Sequence, residues 1–272
     1  MQQPPALTDL AALQRNRARA RDPFLHAEAV ADVQERLSEV NKAFTAAAVV
    51  TGFAGPWRNL LPAARFVPEA EVLDLAPGAQ DLVIHALGLH WANDPVGQLV
   101  QCRRALRPDG LVLALLFGGQ TLHELRSVLA QAETEITGGL SPRVLPMAEI
   151  RDLGGLVQRA GLALPVADSF TKRVMYRDIY HLMHDLRGMG ETNALAARLR
   201  RPTARAVFAR AGAIYHKVWS VGDRIPATFE VITLTGWAPH DSQQQPLRPG
   251  SAQTLLATAL ISATAGRDTT GS

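Results

Sequence analysis

Apolar positions divide this chain into recognisable pieces. Leu25, Val30, Val33, Leu37 and Val40 recur at roughly helical spacing among charges after Asp22-Pro23, so residues 7–44 are expected to be helical. Ala46 to Thr51 is a short apolar run that stops at Gly52-Phe-Ala-Gly55-Pro56, as a buried strand followed by a turn would. Arg65-Phe-Val67 suits a short strand, and Leu73 to Gly78 a loop. Asp81 to Ala86 is an apolar run of the kind that a strand covered on both faces requires. Asp94-Pro95 opens a helix in which Val96, Leu99, Val100, Arg103 and Leu106 follow the 3.6-residue period. Arg107-Pro-Asp-Gly110 reads as a turn, Leu111 to Phe117 as another buried strand, and Gly118 to Thr121 as the start of a helix through Leu129. Strand, helix, turn, strand, helix is half of a doubly wound α/β sheet.

The pattern changes after residue 141. Met147 to Ala160 predicts a helix ending at Gly161, Leu162 to Val166 a strand, and residues 177–218 a helical stretch broken at Gly188-Met-Gly190 and at Pro202. Ala227 to Thr235 alternates and is rich in β-branched residues, so it should pair late in the sheet. The Ser-, Thr- and Ala-rich end is expected to be loosely ordered. The organisation expected is an N-terminal helical segment over 1–45, one domain over 46–255 with a helical insertion near 177–218, and a flexible tail over 256–272.

Composition narrows the functional classes. No apolar run approaches the roughly 20 residues needed to cross a bilayer. The one cysteine, Cys102, excludes an internal disulfide and a cysteine-based zinc cluster. A charged-then-apolar leader is not seen, which makes a cytoplasmic location the expectation. Net charge is only +3 despite a pI of 9.4, and 25 of the 28 basic residues are arginine. Arg15, Arg17, Arg19 and Arg21, and again Arg198, Arg200, Arg201, Arg205 and Arg210, are interleaved with or near acids, as solvated helix faces are. Nucleic acid is therefore not an expected partner. His181, His184 and Asp185 share a helical spacing but lack a second ligand pair, so no metal site is expected.

Asp81-Leu-Val-Ile, Leu89-His90-Trp91, Asn93-Asp94-Pro95 and Leu106-Arg-Pro-Asp-Gly110 resemble the residues around the fourth and fifth strands of class I methyltransferases. A narrower set is similar to the respiratory complex I assembly factor 5 family and its bacterial relatives. It comprises Phe117-Gly-Gly-Gln-Thr-Leu-His-Glu-Leu-Arg126, Gly138-Gly-Leu-Ser-Pro-Arg143, Met189-Gly-Glu-Thr-Asn193, Thr235-Gly-Trp-Ala-Pro-His-Asp-Ser-Gln243 and Arg248-Pro-Gly-Ser251. The resemblance implies a Rossmann-like sheet, S-adenosylmethionine as cofactor, and a complex I subunit as protein partner, met peripherally at the inner membrane. It also marks Ser141, Arg143, Asp168, Glu191 and Asn193 as signature positions without assigning them roles. The candidate catalytic residues are His90, Trp91 and Asn93, just beyond a strand end, where open sheets place ligands. Candidate cofactor contacts are Gly52, Gly55, Asp81, Gly118, Gly119, Gln120 and Thr121; the last four precede a helix, whose free N–H groups favour an anion.

The chain departs from that family at the methyl-donor loop. Thr51-Gly52-Phe53-Ala54-Gly55 lacks the acidic residue and the middle glycine of the expected Gly-x-Gly-x-Gly turn, and Pro56 follows at once. Strands one to three would have to fit between Ala47 and Val67, whereas one βαβ unit alone takes roughly 30 residues. At least one strand-helix unit is therefore expected to be missing, with the loss falling on the first two strands. The expected function is a methyltransferase-family protein without a standard donor site, acting as an assembly factor and binding S-adenosylmethionine or no cofactor. The alternatives are an active methyltransferase and a protein arginine hydroxylase.

Overall fold

Two helices open the computed structural model, which describes residues 6–243. Helix α1 (Leu10–Arg19) is capped by Asp9, whose side chain accepts the Ala12 N–H at 3.0 Å. Helix α2 (Phe24–Glu39) turns Leu25, Ala29 and Val33 into the main core. The segment before residue 45 is thus built into the domain, and residues through Pro239 form one compact unit.

The remaining elements are β1 (Ala47–Val50), α3 (Ala54–Arg58), β2 (Arg65–Val67), β3 (Gln80–Ala86), a 3-10 turn (Leu89–Trp91), α4 (Pro95–Ala105), β4 (Leu106–Phe117), α5 (His123–Thr137), α6 (Ile150–Arg159), β5 (Ala163–Tyr176), α7 (Ile179–Gly188), α8 (Arg205–Trp219) and β6 (Ile225–Trp237). Six strands form one sheet in the order β2-β1-β3-β4-β6-β5. β2, β1, β3 and β4 run parallel, and β6 inserts antiparallel between β4 and β5. The predicted α/β sheet is present, and β3 and β4 are its buried centre.

The expected loss in the first half of the sheet is present and amounts to one strand. A doubly wound sheet commonly has three strands on the first side of its switch point; here there are two. The place beside β3 is filled by Ala47–Val50, so the innermost strand is present and the deficit is one outer strand. The crossover from β1 to β2 contains only the five-residue helix α3.

Three local expectations are also corrected. Arg107–Gly110 belongs to β4 as a bulge: Gln80 pairs with Leu106 but Leu82 with Leu111. Asp109, rather than the glycine, takes the left-handed conformation there, at φ 61°. Helix α5 begins at His123 and not at Gly118, because Leu122, at φ 54°, breaks the right-handed path, and the N–H groups of Gly118 and Gln120 bond to Glu230. Strand β5 runs well past Val166 to Tyr176, its polar residues being tolerated because it is the sheet edge, paired to β6 alone. The tail over 256–272 and the Arg248–Ser251 motif lie outside the described residues.

Candidate functional site

Open parallel sheets bind ligands beyond the carboxyl ends of the strands where the strand order reverses. Here that point lies between β1, which leads outward to β2, and β3, which leads outward to β4. The chain leaves β1 through Thr51-Gly52-Phe53 and leaves β3 through Leu87-Gly88 into the Leu89–Trp91 turn. Arg17 of α1 and Glu69 of the loop after β2 occupy the slot between them. A methyl group on Gly52 would lie 3.1 Å from Arg17 Cδ and 3.2 Å from Glu69 Oε2. One on Gly88 would lie 2.2 Å from Glu69 Oε1. Both glycines allow close approach, and what approaches is the protein's own side chains.

The guanidinium of Arg17 is bound on every side. It pairs with Glu191 and, at 3.4 Å, with Glu69. It donates to the Leu87 carbonyl at 3.3 Å and sits 4.9 Å from the centre of the Phe53 ring. Glu191 also accepts from the Trp91 indole N–H at 2.7 Å and from His90 Nε2 at 3.5 Å. The His90 Nδ1 accepts the Phe117 N–H at 3.5 Å, which leaves the ring proton on Nε2, facing Glu191. Gly190, at φ 76°, turns the chain against α1 and delivers Glu191 to this cluster.

Charge and burial act in opposition here. Burial by itself would raise the Glu191 pKa, but the Arg17 charge and the hydrogen bonds from His90 and Trp91 outweigh it and hold the carboxyl well below the usual range. Burial likewise opposes the Arg17 charge, and Glu191 and Glu69 more than offset it. Next to them His26 accepts the Trp57 indole N–H at 3.1 Å. Burial first, and the Arg17 charge second, push its pKa down to about 3, so it is neutral.

The predicted catalytic residues separate. His90 and Trp91 lie in this cluster, both buried. Asn93 instead clamps the N-terminal segment, accepting the Thr8 N–H at 2.9 Å and donating to the Thr8 carbonyl at 3.3 Å. The predicted cofactor residues separate as well. Gly52 is central to the slot. Gly55 lies within α3 with open space around it, so nothing there demands a glycine. Asp81 is misassigned by the sequence reading. It stands at the amino end of β3, accepting the Thr45 N–H at 2.7 Å and the Ala46 N–H at 2.9 Å, away from the carboxyl ends that form the slot.

Gly118, Gly119, Gln120 and Thr121 precede α5 but do not form an open anion seat. Glu230 is the anion already there: its carboxylate accepts the Gln120 N–H at 2.9 Å, and its carbonyl accepts from Gly118 N at 2.9 Å and Thr121 Oγ1 at 3.0 Å. Gly118 and Gly119 make room for Glu230 and Glu149.

The signature positions are structural pairs. Arg143 grips Glu133 with two hydrogen bonds of 2.9 and 2.6 Å, and Ser141 Oγ adds a third at 2.6 Å. Asn193 donates to the Pro142 carbonyl at 2.9 Å. Asp168 pairs with Arg36. Among the described residues, no group of three or more metal-ligating side chains gathers. Sequence reading missed Arg17, Glu69, His26 and Trp57. The one available signal was that Leu10, Leu13 and Arg17 share a helix face at spacings of three and four.

Comparison with known proteins agrees with this architecture. A methyltransferase-domain family model matches residues 28–114. Arginine-hydroxylase NDUFAF5, mitochondrial, of Dictyostelium discoideum is 45% identical over 64% of this chain and 40% of its own length. A malonyl-[acyl-carrier protein] O-methyltransferase of Xylella fastidiosa is 34% identical over 67% of this chain and 59% of its own length. The chain therefore spans about half the length of the curated relatives it matches. The solved structure of a candidate methyltransferase from Bacillus halodurans shares the fold at a TM-score of 0.50 and 13% identity, over 77% of this chain and 98% of that one. The chain has the class I methyltransferase fold, carries a methyltransferase-domain match, and is similar to the mitochondrial proteins named arginine-hydroxylase NDUFAF5.

Proposed function

We propose that this protein keeps a methyltransferase fold without a standard S-adenosylmethionine site, and serves as a complex I assembly-type factor that binds a protein partner. The observation that carries the reading is Arg17, fixed between Gly52 and Gly88 by Glu69, Glu191 and the Leu87 carbonyl. A donor molecule would have to displace this buried ion pair before reaching the β1 turn. The likeness to the NDUFAF5 proteins supports the assembly role. We place the protein in the cytoplasm, working peripherally at the inner membrane; no helix among the described residues is long and apolar enough to cross one.

A second reading is an active S-adenosylmethionine-dependent methyltransferase. It draws on Glu69, an acid after β2 beside a glycine turn, since a carboxylate there is the kind of group that takes ribose hydroxyls. In that reading α1 moves aside when the donor enters. Arginine hydroxylation, the activity in the relatives' names, has no support here beyond those names.

Calorimetric titration of the whole chain with S-adenosylmethionine separates the two main readings. No heat and no rise in melting temperature up to millimolar ligand is expected. Saturable binding would overturn the proposal, because a ligand at 100 times its dissociation constant stabilises by about 2.7 kcal/mol. Normal complex I content in a deletion strain would overturn the assembly role independently.

A further inference from the structure

Trp91 walls two cavities. One, of about 260 Å³, opens toward Glu69, His85 and Gln98 and belongs to the slot already described. The other, of about 230 Å³, is lined by Trp91, Phe117, Leu125, Met147, Met183 and Phe229 among its apolar residues. It lies at the carboxyl end of β4 and is walled in part by α5 and α7. Rings and thioethers make walls that adapt to an apolar guest without leaving polar atoms unpaired.

Three charged residues line this second cavity: Arg143, Arg187 and Glu191. Arg143 is committed to Glu133 and donates its third bond to Thr203 Oγ1 at 2.8 Å. Glu191 is committed to Arg17, Trp91 and His90. Arg187, exposed at the end of α7, has no side-chain ion pair or hydrogen bond among the described residues. Thr121, Thr192 and Asn193 are the neutral polar residues of a wall that is otherwise apolar, and its one uncommitted charge is a guanidinium. Its planar fork of donors suits a carboxylate better than any neutral group. A cationic guest would find no free carboxylate along this wall.

We infer that this cavity binds a small amphipathic acid, with a ring or medium-length acyl chain in the chamber and a carboxylate on Arg187. The inference does not depend on whether the slot at Arg17 can open, because the lining is complete with α1 in place.

Titrating the full chain with decanoate, decanol, decylamine and acetate tests it, read by melting temperature and tryptophan fluorescence. Decanoate should bind more tightly than decanol, decylamine more weakly than either, and acetate not at all. Arg187→Glu should weaken decanoate by roughly ten-fold or more and leave decanol unchanged. Leu125→Trp should fill the chamber and abolish binding of both. If that core variant does not fold, the Arg187 variant still decides, since its side chain is exposed. Absence of decanoate binding, equal affinity for decanoate and decylamine, or an unchanged decanoate affinity in Arg187→Glu would each overturn the proposal.

Discussion

Replacing Arg17 by methionine removes the cation and keeps much of the length of the side chain. It leaves Glu191 and Glu69, whose side chains are only 11% and 14% exposed, facing each other without a cation between them, Glu191 keeping only its Trp91 and His90 donors. Removing one partner of a buried ion pair typically costs about 3–5 kcal/mol, because the other charge stays buried. At about 2–4 °C per kcal/mol for a domain of this size, the melting temperature should fall by roughly 6–20 °C. Urea denaturation measures the loss directly. Glu191→Gln should cost less, since Arg17 retains Glu69 and the Leu87 carbonyl. The double variant should be more stable than the sum of the two losses implies, by about 1–3 kcal/mol of coupling. The reasoning fails if Arg17→Met lies within about 1 kcal/mol of the parent, or if the two losses simply add.

Acid stability follows from the buried imidazoles and from Glu133. His26 and His85 are pushed by burial to about 3 and about 4, from an ordinary value of 6.5. Depressed values favour the fold above the ordinary pKa, so this stability is complete above about 6.5 and is lost as pH falls toward 4 and then 3. Glu133, lowered by Arg143 from 4.5 to about 2, extends the loss below 4.5. Urea midpoints measured across this range should slope accordingly, and His26→Gln should flatten the upper part; a parallel slope in that variant would refute the assignment. Gly88→Ala should destabilise by about 1–3 kcal/mol through the clash with Glu69, and the same change made in a Glu69→Ala background should cost far less. Asn93→Ala should leave the fold intact at a cost of about 1 kcal/mol while hydrogen-exchange protection of the Thr8 amide disappears; retained protection would mean that the Asn93 clamp does not hold the segment.

What could be read in advance was whatever the sheet buries on both faces. β3 and β4 announce themselves as unbroken apolar runs, and Asp94-Pro95 marks the start of α4 because cap and proline act locally. His90 and Trp91 were legible from their place after β3. Strand β5 was legible only as far as Val166, since an edge strand needs no apolar alternation on its exposed positions. Arg17 was hidden for a related reason. A charged residue on a helix ordinarily faces water, and its partners Glu69 and Glu191 lie 52 and 174 residues away. Asp81 misled in the opposite direction, because a strand-terminal carboxylate takes ligands at one end of a sheet and merely fixes a loop at the other.

The lining of the slot explains why an arginine fills it. The Leu87 carbonyl, Glu69 and Glu191 are all acceptors, and an apolar side chain in their midst would leave Glu69 unpaired and Glu191 without a counter-charge. Only a group rich in donors satisfies them together, and arginine carries five N–H donors. S-adenosylmethionine is itself cationic at its sulfonium and ammonium groups, so the same acceptors would face it if α1 withdrew. The Arg17→Met variant therefore also probes the proposed function. If it stays folded and still gives no heat with S-adenosylmethionine, the slot lacks the donor contacts that the lost strand-helix unit would have supplied, and the assembly role stands. If it gains saturable binding that the parent lacks, Arg17 is a gate over a working donor site, and the enzyme reading replaces the assembly one.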